Sequence, residues 1–553
     1  MQWERRDVYV LLWHWSFANC SQFDLLAHPT TPVPCCQYPW CLSYTEKLSF
    51  SFLILRSISR MEPSQTSCNE GDTSLHKLEP YGENLQTCIL KDPCTRLPFE
   101  VVAEIFINCL PSSIFVAPNP RHAPILLSQV SASWRSICFS TPRLWSSLSI
   151  ELRRRARNTG LECEKLMMVA WLSRAGTCPL SISMASDTAA TQDFLDTFFS
   201  FSFQWRHVKI NSLAPAEFPQ KLQVPVLETF ELIVRDFSSE YDQQLSTILH
   251  WSSACGLRKI CWVNSGHEYH RLGLNWSQLT HITLNTSMSV ENCLDILEKS
   301  QALTHAAFQS VTAQSFPTSR DQICLSQLLS LGFRTDKNIA SLLDALVLPN
   351  ILEFLFIGSG IQGESWPQTS FLNLIDRSSC ALKNLYLYYV PSTTEELLDC
   401  LRRTQSSLKA LTVQASGDPI VTDEFLDELT ATDGVCLCPK LQILALYDCI
   451  SCSPGHVADM VRSRLDAPPL PPTDTQGVIR LEAVEMYDHE AELEALTDLK
   501  SRGLILKVYS RTGRVMGLSL EEELRLQNLE EDDFESILAI NDSTTGLLWE
   551  LGA

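Results

Sequence analysis

The chain has 553 residues, 45% hydrophobic and 19% charged, an ordinary composition for folded protein and long enough for more than one domain. Its 64 acidic and 43 basic side chains leave a formal net charge of −21, which argues against nonspecific binding to nucleic acid or anionic membranes, since both need basic surface. No apolar run reaches the roughly 20 residues that cross a bilayer, and the 21 cysteines are scattered through predicted helices and strands, so they read as reduced, mostly buried thiols.

Residues 1–60 form a leader in which Arg5 and Arg6 precede the apolar stretch VYVLLWHWSFA and Ala18 stands where a signal cleavage site would fall. A secretory signal is one reading, and translation starting at Met61 is the plainer one. Asn275-Trp276-Ser277 and Asn285-Thr286-Ser287 match glycosylation acceptors, which matters only for a secreted chain. Residues 61–91 are polar, without periodic apolar signal, and read as a linker.

In residues 92–150 the apolar side chains become dense. Pro98 suits a helix start, and Val101, Val102, Ile105, Phe106, Cys109 and Leu110 follow at three-to-four-residue spacing. Leu126, Leu127, Val130, Trp134, Ile137 and Cys138 repeat that pattern until Thr141-Pro142 breaks it, and Leu144-Trp145 returns apolar bulk. So small a unit has more apolar surface than it can bury by itself. The segments Leu97-Pro98-Phe99-Glu100, Ile105-Phe106, Leu110-Pro111, Val130, Trp134-Arg135 and Leu144-Trp145 resemble an F-box, the adaptor-binding module of substrate receptors in SCF-type ubiquitin ligases. The insert PSSIFVAPNPRHAP between the helices is longer than in the compact family form. What the resemblance implies is docking of a Skp-type adaptor, and through it a cullin, by Leu97, Pro98, Val101, Ile105, Phe106, Leu110, Leu127, Val130, Trp134, Leu144 and Trp145. A plain helical hairpin packed on the rest of the chain is the alternative.

Residues 151–200 read as a connector. Arg153, Arg154, Arg155 and Arg157 form a short basic run best taken as a solvated face. A helix is predicted over Leu161–Ser173, ending near Gly176, and a strand after it. WLSRAGTCPLSISM and FQWRHVKI also resemble the connector of F-box proteins abundant in mushroom-forming fungi.

Residues 201–515 carry an imperfect LxxLxL repeat, with L any apolar residue. Its units are Leu227-Phe230-Leu232, Leu257-Ile260-Trp262, Leu279-Ile282-Leu284, Leu303-Ala306-Phe308, Leu328-Leu331-Phe333, Leu352-Leu355-Ile357, Leu382-Leu385-Leu387, Leu408-Leu411-Val413 and Leu441-Leu444-Leu446. Most spacings fit the roughly 20–29-residue period of leucine-rich repeats. The last two apolar positions of each unit lie two apart, so on a strand they share a face. Ser392 to Leu401 has the hydroxyl and glutamate spacing of a helical capping box. Where a regular repeat would place Asn or Cys, only Cys449 conforms, so an irregular arc is expected.

Enzyme-like signals dissolve on inspection. Gly358-Ser359-Gly360-Ile361-Gln362-Gly363 is a formal GxGxxG, but Pro367 and ESWPQTS stand where a helix should receive a pyrophosphate, and a turn without a following helix is predicted. Cys436, Cys438, Cys449 and Cys452 have zinc-compatible spacing but coincide with repeat positions, which favours structural thiols. His267, Glu268 and His270 lack HExxH geometry. Pro468 to Pro472 mark a loop, EAVEMYD and GLILKVYS closing strands, and residues 516–553 an acidic tail.

The expected architecture is therefore α+β: an N-terminal helical F-box-like module followed by an irregular leucine-rich-repeat α/β solenoid. The expected role is a non-catalytic, cytoplasmic or nuclear substrate receptor. It would have no cofactor or metal, contact neither nucleic acid nor membrane, and bind a protein substrate of unspecified identity. The alternatives are a non-ligase interaction module whose hairpin caps the repeat core, or a secreted recognition protein.

Overall fold

A computed structural model of the chain describes residues 97–152, 159–186, 192–212, 222–234, 254–263, 274–312, 321–358, 366–389, 393–415, 418–432, 435–467, 477–487, 490–509 and 515–516. The leader and linker, Arg153 to Arg157, His267, Glu268 and His270, residues 359–363 of the glycine motif, the prolines 468–472 and the acidic tail lie outside them. The chain divides into two compact units, Met1–Ser149 with Leu166–Cys178, and Ile150–Lys165 with Pro179–Ala553.

The first unit holds helices α1 (Phe99–Ile107), α2 (Ile125–Val130) and α3 (Ala132–Phe139) and a 3-10 turn at Pro142–Trp145. The periodic run Leu126 to Cys138 is two helices rather than one. Ser131 is extended at φ −155° and ψ 167°, and its hydroxyl accepts the Trp134 backbone N–H at 3.1 Å, capping α3. Phe106, Leu144, Trp145 and Cys138 form the core. The Trp145 indole donates to the Cys138 carbonyl at 2.9 Å, and its ring centroid lies 5.7 Å from Phe139 and 4.9 Å from Trp171. The proline-rich insert is anchored: Val116 donates to the Ser147 hydroxyl at 2.9 Å, which donates to the Ile114 carbonyl at 2.7 Å. Helix α4 (Thr159–Leu172) passes from one unit to the other and gives way to a 3-10 turn before Gly176, whose φ of +60° ends it as predicted.

The second unit is built on strands β1 (Ser147–Leu152, its last three residues in this unit), β2 (Leu180–Ser186), β3 (Trp205–Ser212), β4 (Thr229–Val234), β5 (Lys259–Val263), β6 (His281–Ser289), β7 (His305–Thr312), β8 (Ile323–Cys324), β9 (Ser330–Thr335), β10 (Leu346–Val347), β11 (Glu353–Ile357), β12 (Asn384–Tyr388), β13 (Ala410–Gln414), β14 (Ile443–Tyr447), β15 (Ala483–Tyr487), β16 (Ile505–Tyr509) and β17 (Val515–Met516). Strands β8 and β10 pair separately; the other 15 form one sheet in chain order. Every pairing from β2 to β16 is parallel, and β17 pairs antiparallel with β16. Sequential parallel neighbours are what a repeat produces when each unit lays its strand against the one before.

The LxxLxL units are in register. Leu385, Leu411 and Leu444 stand side by side, as do Leu387, Val413 and Leu446, and all are buried. One unit is corrected by a residue. Phe354 pairs with Leu331 and Phe356 with Phe333, so the core takes Ile351, Phe354 and Phe356, while Leu352 and Leu355 stay half-buried on the other face. The series also extends beyond the predicted units, to Trp205-Val208-Ile210 before them and Leu481-Val484-Met486 after them. Just before each strand a backbone rung runs through the stack: Glu228 donates to Arg206, Arg258 to Glu228, Thr280 to Arg258, Thr304 to Thr280, Leu329 to Thr304, Leu352 to Leu329, Lys383 to Leu352, Lys409 to Lys383 and Gln442 to Lys409. Each N–H meets a carbonyl of the preceding unit, so backbone alone satisfies the turns that lead into the strands.

Helices α5 (Gln192–Phe199), α6 (Val290–Lys299), α7 (Ala340–Asp344), α8 (Gln368–Ser378), α9 (Thr394–Thr404), α10 (Asp423–Leu429), α11 (His456–Asp466) and α12 (Glu490–Lys500) connect strands. From α6 to α9, and from α10 to α12, each packs against the next. Helix α8 corrects the expectation that none follows the glycine motif. It begins at Gln368, after Pro367, a residue that lacks only a donor the helix start does not use. The predicted capping box is present on α9, with the Thr393 hydroxyl and the Glu396 carboxylate each accepting the other's backbone N–H. Helix ends are also tied backward by arginines. Arg377 donates to the carbonyls of Leu343 and Leu346, and the fully buried Arg464 to those of Leu429, Leu437 and Cys438 at 2.7, 2.6 and 3.1 Å.

Candidate functional site

Two surfaces are candidates. The first is the apolar face of the helical unit. Of the residues assigned to adaptor docking, Pro98, Val101, Ile105 and Val130 are exposed, with Val130 at 56% and Val101 at 44%. Leu97, Leu110 and Trp134 are half-buried, whereas Phe106, Leu127, Leu144 and Trp145 are buried. The assigned set therefore divides. Helix α1 turns Phe106 inward, its ring centroid 4.9 Å from Trp134, and presents Val101 and Ile105 outward. The buried members support the face rather than form it. Phe99, Ile114 and Leu126 are also exposed, at 44, 61 and 40%, and were not singled out because helical spacing alone does not say which side of a small unit its own core will cover.

The electrostatics behind this face are quiet. The exposed ion pair Arg143–Glu104 lies at 3.0 Å, and the Arg174 guanidinium sits over the rings of Phe139 and Trp145 at 4.8 and 4.9 Å. Burial, reinforced by Cys109, pushes the Cys138 thiol up to about 12, which makes it an inert core group.

The second surface is the sheet face opposite the repeat core. Its residues come in columns, one per strand. Lys209 pairs with Glu231 at 3.1 Å and Lys507 with Glu485 at 2.9 Å. Tyr447 donates to Glu485 at 2.9 Å and its ring lies 5.1 Å from Tyr487. Tyr386, Tyr388 and Tyr389 add further phenols, and Tyr389 takes φ +53°, leaving it 39% exposed directly after β12. Burial first, then Tyr389 and Asp448, push the Tyr487 phenol up to about 12. Apart from the exposed Tyr389 these tyrosines are half-buried, aromatic at the body and polar at the tip, the side chains favoured where proteins meet other proteins.

Enzyme-like features fare as follows. Cys438 and Cys449 are buried and donate weakly to the carbonyls of Leu401 and Val413 at 3.7 and 3.6 Å, while Cys436 and Cys452 are half-buried. Gly358 closes β11, donating to the Tyr388 carbonyl at 2.8 Å; a side chain there would collide with the Tyr389 carbonyl. Among the described residues no group of three or more His, Cys, Asp or Glu is placed to hold a metal, and no helix is long and apolar enough to cross a membrane.

No protein-family model matches the chain, and no curated protein does. Among solved structures, the Rad7 and Elc1 complex from yeast is similar at 12% identity and a TM-score of 0.32, over 67% of this chain and 76% of that one. The leucine-rich repeat-containing protein LegL7 from Legionella pneumophila is similar at 10% identity and a TM-score of 0.25, over 70% of this chain and 91% of that one. At these values neither likeness adds to the fold, which rests on the strand order and register above.

Proposed function

We propose that the chain is a substrate receptor of an SCF-type ubiquitin ligase, with the helical unit docking a Skp-type adaptor and the repeat sheet holding a protein substrate. The observation that carries this reading is the exposure of Val101, Ile105 and Val130 on the unit whose residues resemble an F-box. Isolated exposed apolar residues are normal on any surface, but Val101 and Ile105 stand on one helix whose Phe106 is turned into the core, which fixes how that helix presents them. In this role the chain makes and breaks no bond. It raises the concentration of substrate beside a conjugating enzyme, and that proximity is its contribution.

The test is affinity purification of the full chain. Adaptor and cullin should co-purify with the wild type and be lost from a variant carrying Val101→Asp and Ile105→Asp, with its thermal unfolding unchanged. Wild-type protein that never captures an adaptor would leave the chain as a repeat-based interaction module outside the ligase machinery.

A further inference from the structure

Where the backbone rungs lead into the strands, the side chains change character along the stack. At the lead-ins to β6, β7, β9 and β11 the rung residues are Thr280, Thr304, Leu329 and Leu352, none of them charged. From β12 to β15 each lead-in brings a cation. Lys383 and Lys409 are themselves rung residues, the Lys409 N–H donating to the Lys383 carbonyl at 2.7 Å, and both are half-buried. Lys440 and Arg480 directly follow Pro439 and Ile479, and the Ile479 N–H donates to the Pro439 carbonyl at 2.7 Å, so these two also stand on neighbouring lead-ins. Lys440 is half-buried and Arg480 exposed, and among the described residues neither side chain makes a hydrogen bond or ion pair. One end of the sheet is thus lined with positive charge over successive units of a chain whose net charge is −21. Glu482 on the same rim opposes them, but its carboxylate already accepts the Gln442 amide at 3.0 Å.

Like charges on strands about 4.8 Å apart repel one another, and an anion that meets several at once relieves them. The chain itself carries such an anion: residues 521–535 hold eight carboxylates against one arginine. Strand β17 aims the chain at this rim. Strand β16 runs away from the rim, from Ile505 to Tyr509, and β17 returns, with Val515 beside Tyr509 and Met516 beside Val508. The chain therefore leaves Met516 directed toward the end where the lead-ins stand, and the acidic run begins at Glu521. We propose that the rim of Lys383, Lys409, Lys440 and Arg480 is an interaction surface for an acidic segment, and that residues 521–535 of the same chain occupy it. The span is within reach: β12 stands five strand spacings from β17, about 24 Å, whereas the 19 residues from Met516 to Glu535 extend to roughly 60 Å. Exposed ion pairs are individually weak, but tethering holds the segment near about millimolar effective concentration, so a few such pairs suffice.

Carbodiimide joins an amine to a carboxylate only where the two touch, and it tests the contact on the full-length protein. Cross-links should form between Lys383, Lys409 or Lys440 and the carboxylates of 521–535, and not at the exposed Lys259 of β5. Their yield should fall at least about threefold in about 1 M salt, where the screening length is about 3 Å. Lys440→Gln combined with Arg480→Gln should lower the links still formed at Lys383 and Lys409 by at least about threefold. If circular dichroism shows that variant unfolded, Glu530→Gln combined with Glu531→Gln, which leaves the sheet sequence intact, decides by the same measure. A mixture of isotope-labelled and unlabelled protein identifies the occupant, because a segment seated on its own chain links only like with like. Wild type without these links, equal links at Lys259, an unchanged yield in a folded variant, or links that pair the two isotopes would each overturn the proposal. The result is independent of adaptor capture, so either reading can fail without the other.

Discussion

Val101 and Phe106 lie five positions apart on one helix and do opposite work. Phe106 is 1% exposed, so Phe106→Ala should cost about 3–5 kcal/mol in urea unfolding. Val101→Asp should stay within about 0.5 kcal/mol while abolishing adaptor capture. Histidines divide in the same way with pH. For His456, burial works to lower the pKa, but the hydrogen bonds its ring donates to Asp423 at 2.8 Å and Asp427 at 3.0 Å outweigh it and raise it above the usual histidine value. The stability it lends is full below about pH 6.5 and is lost as pH rises through the folded value. His281 and His305 behave in the opposite sense: held neutral in the fold by burial, they favour it above about pH 6.5 and cost stability as pH falls toward 4 and then 3. Melting temperature against pH should fall on the acid side in wild type, and less steeply in His281→Phe; His456→Ala should flatten the alkaline side. The contacts of Phe106 and His456 were not legible in the sequence, whereas the repeat units put His281 and His305 in one column. His281 and His305 are 24 positions apart, each two residues after the first leucine of its unit.

At the scale of elements, the periodicity was legible and its phase was not always. Leucines at 352 and 355 matched the pattern as well as Ile351, Phe354 and Phe356 do, and only pairing with β9 decides between them, because a shift of one residue exchanges the two faces of a strand. The Ser131 break was hidden for a similar reason: an apolar period continues across a cap that interrupts the backbone. The capping box on α9 was readable because it is local, and Thr393→Ala should cost about 1 kcal/mol. The arginine ties were not, since an arginine near a helix end ordinarily reads as solvated. Arg464→Met should destabilise by more than the roughly 1 kcal/mol of an ordinary hydrogen bond, because it strands three buried carbonyls at once. Arg464→Lys should recover little, lacking the fork that reaches all three.

For the whole molecule, legibility followed sequence distance. The repeat sheet could be read because each unit repeats the same instruction to its neighbour, whereas which side chains of the helical unit stay bare depends on contacts that no single helix encodes. The rungs before the strands hold each unit to the next, so local damage should spread along the stack, and hydrogen exchange should find protection graded from the middle strands toward the ends.

The two-residue strand β17 lies against β16 in the reverse direction. Among the described residues that strip is the last of the sheet, where a row of unmatched amides and carbonyls would invite a second molecule to continue the series, since parallel stacks of this kind have no intrinsic stopping point. A short reversed strip gives an arriving chain the wrong polarity and little length to grip, which is how a growing fibre is refused. Val515→Pro, which removes the donor of that residue, should therefore produce association that climbs with concentration in sedimentation velocity, while the wild type holds one sedimentation coefficient.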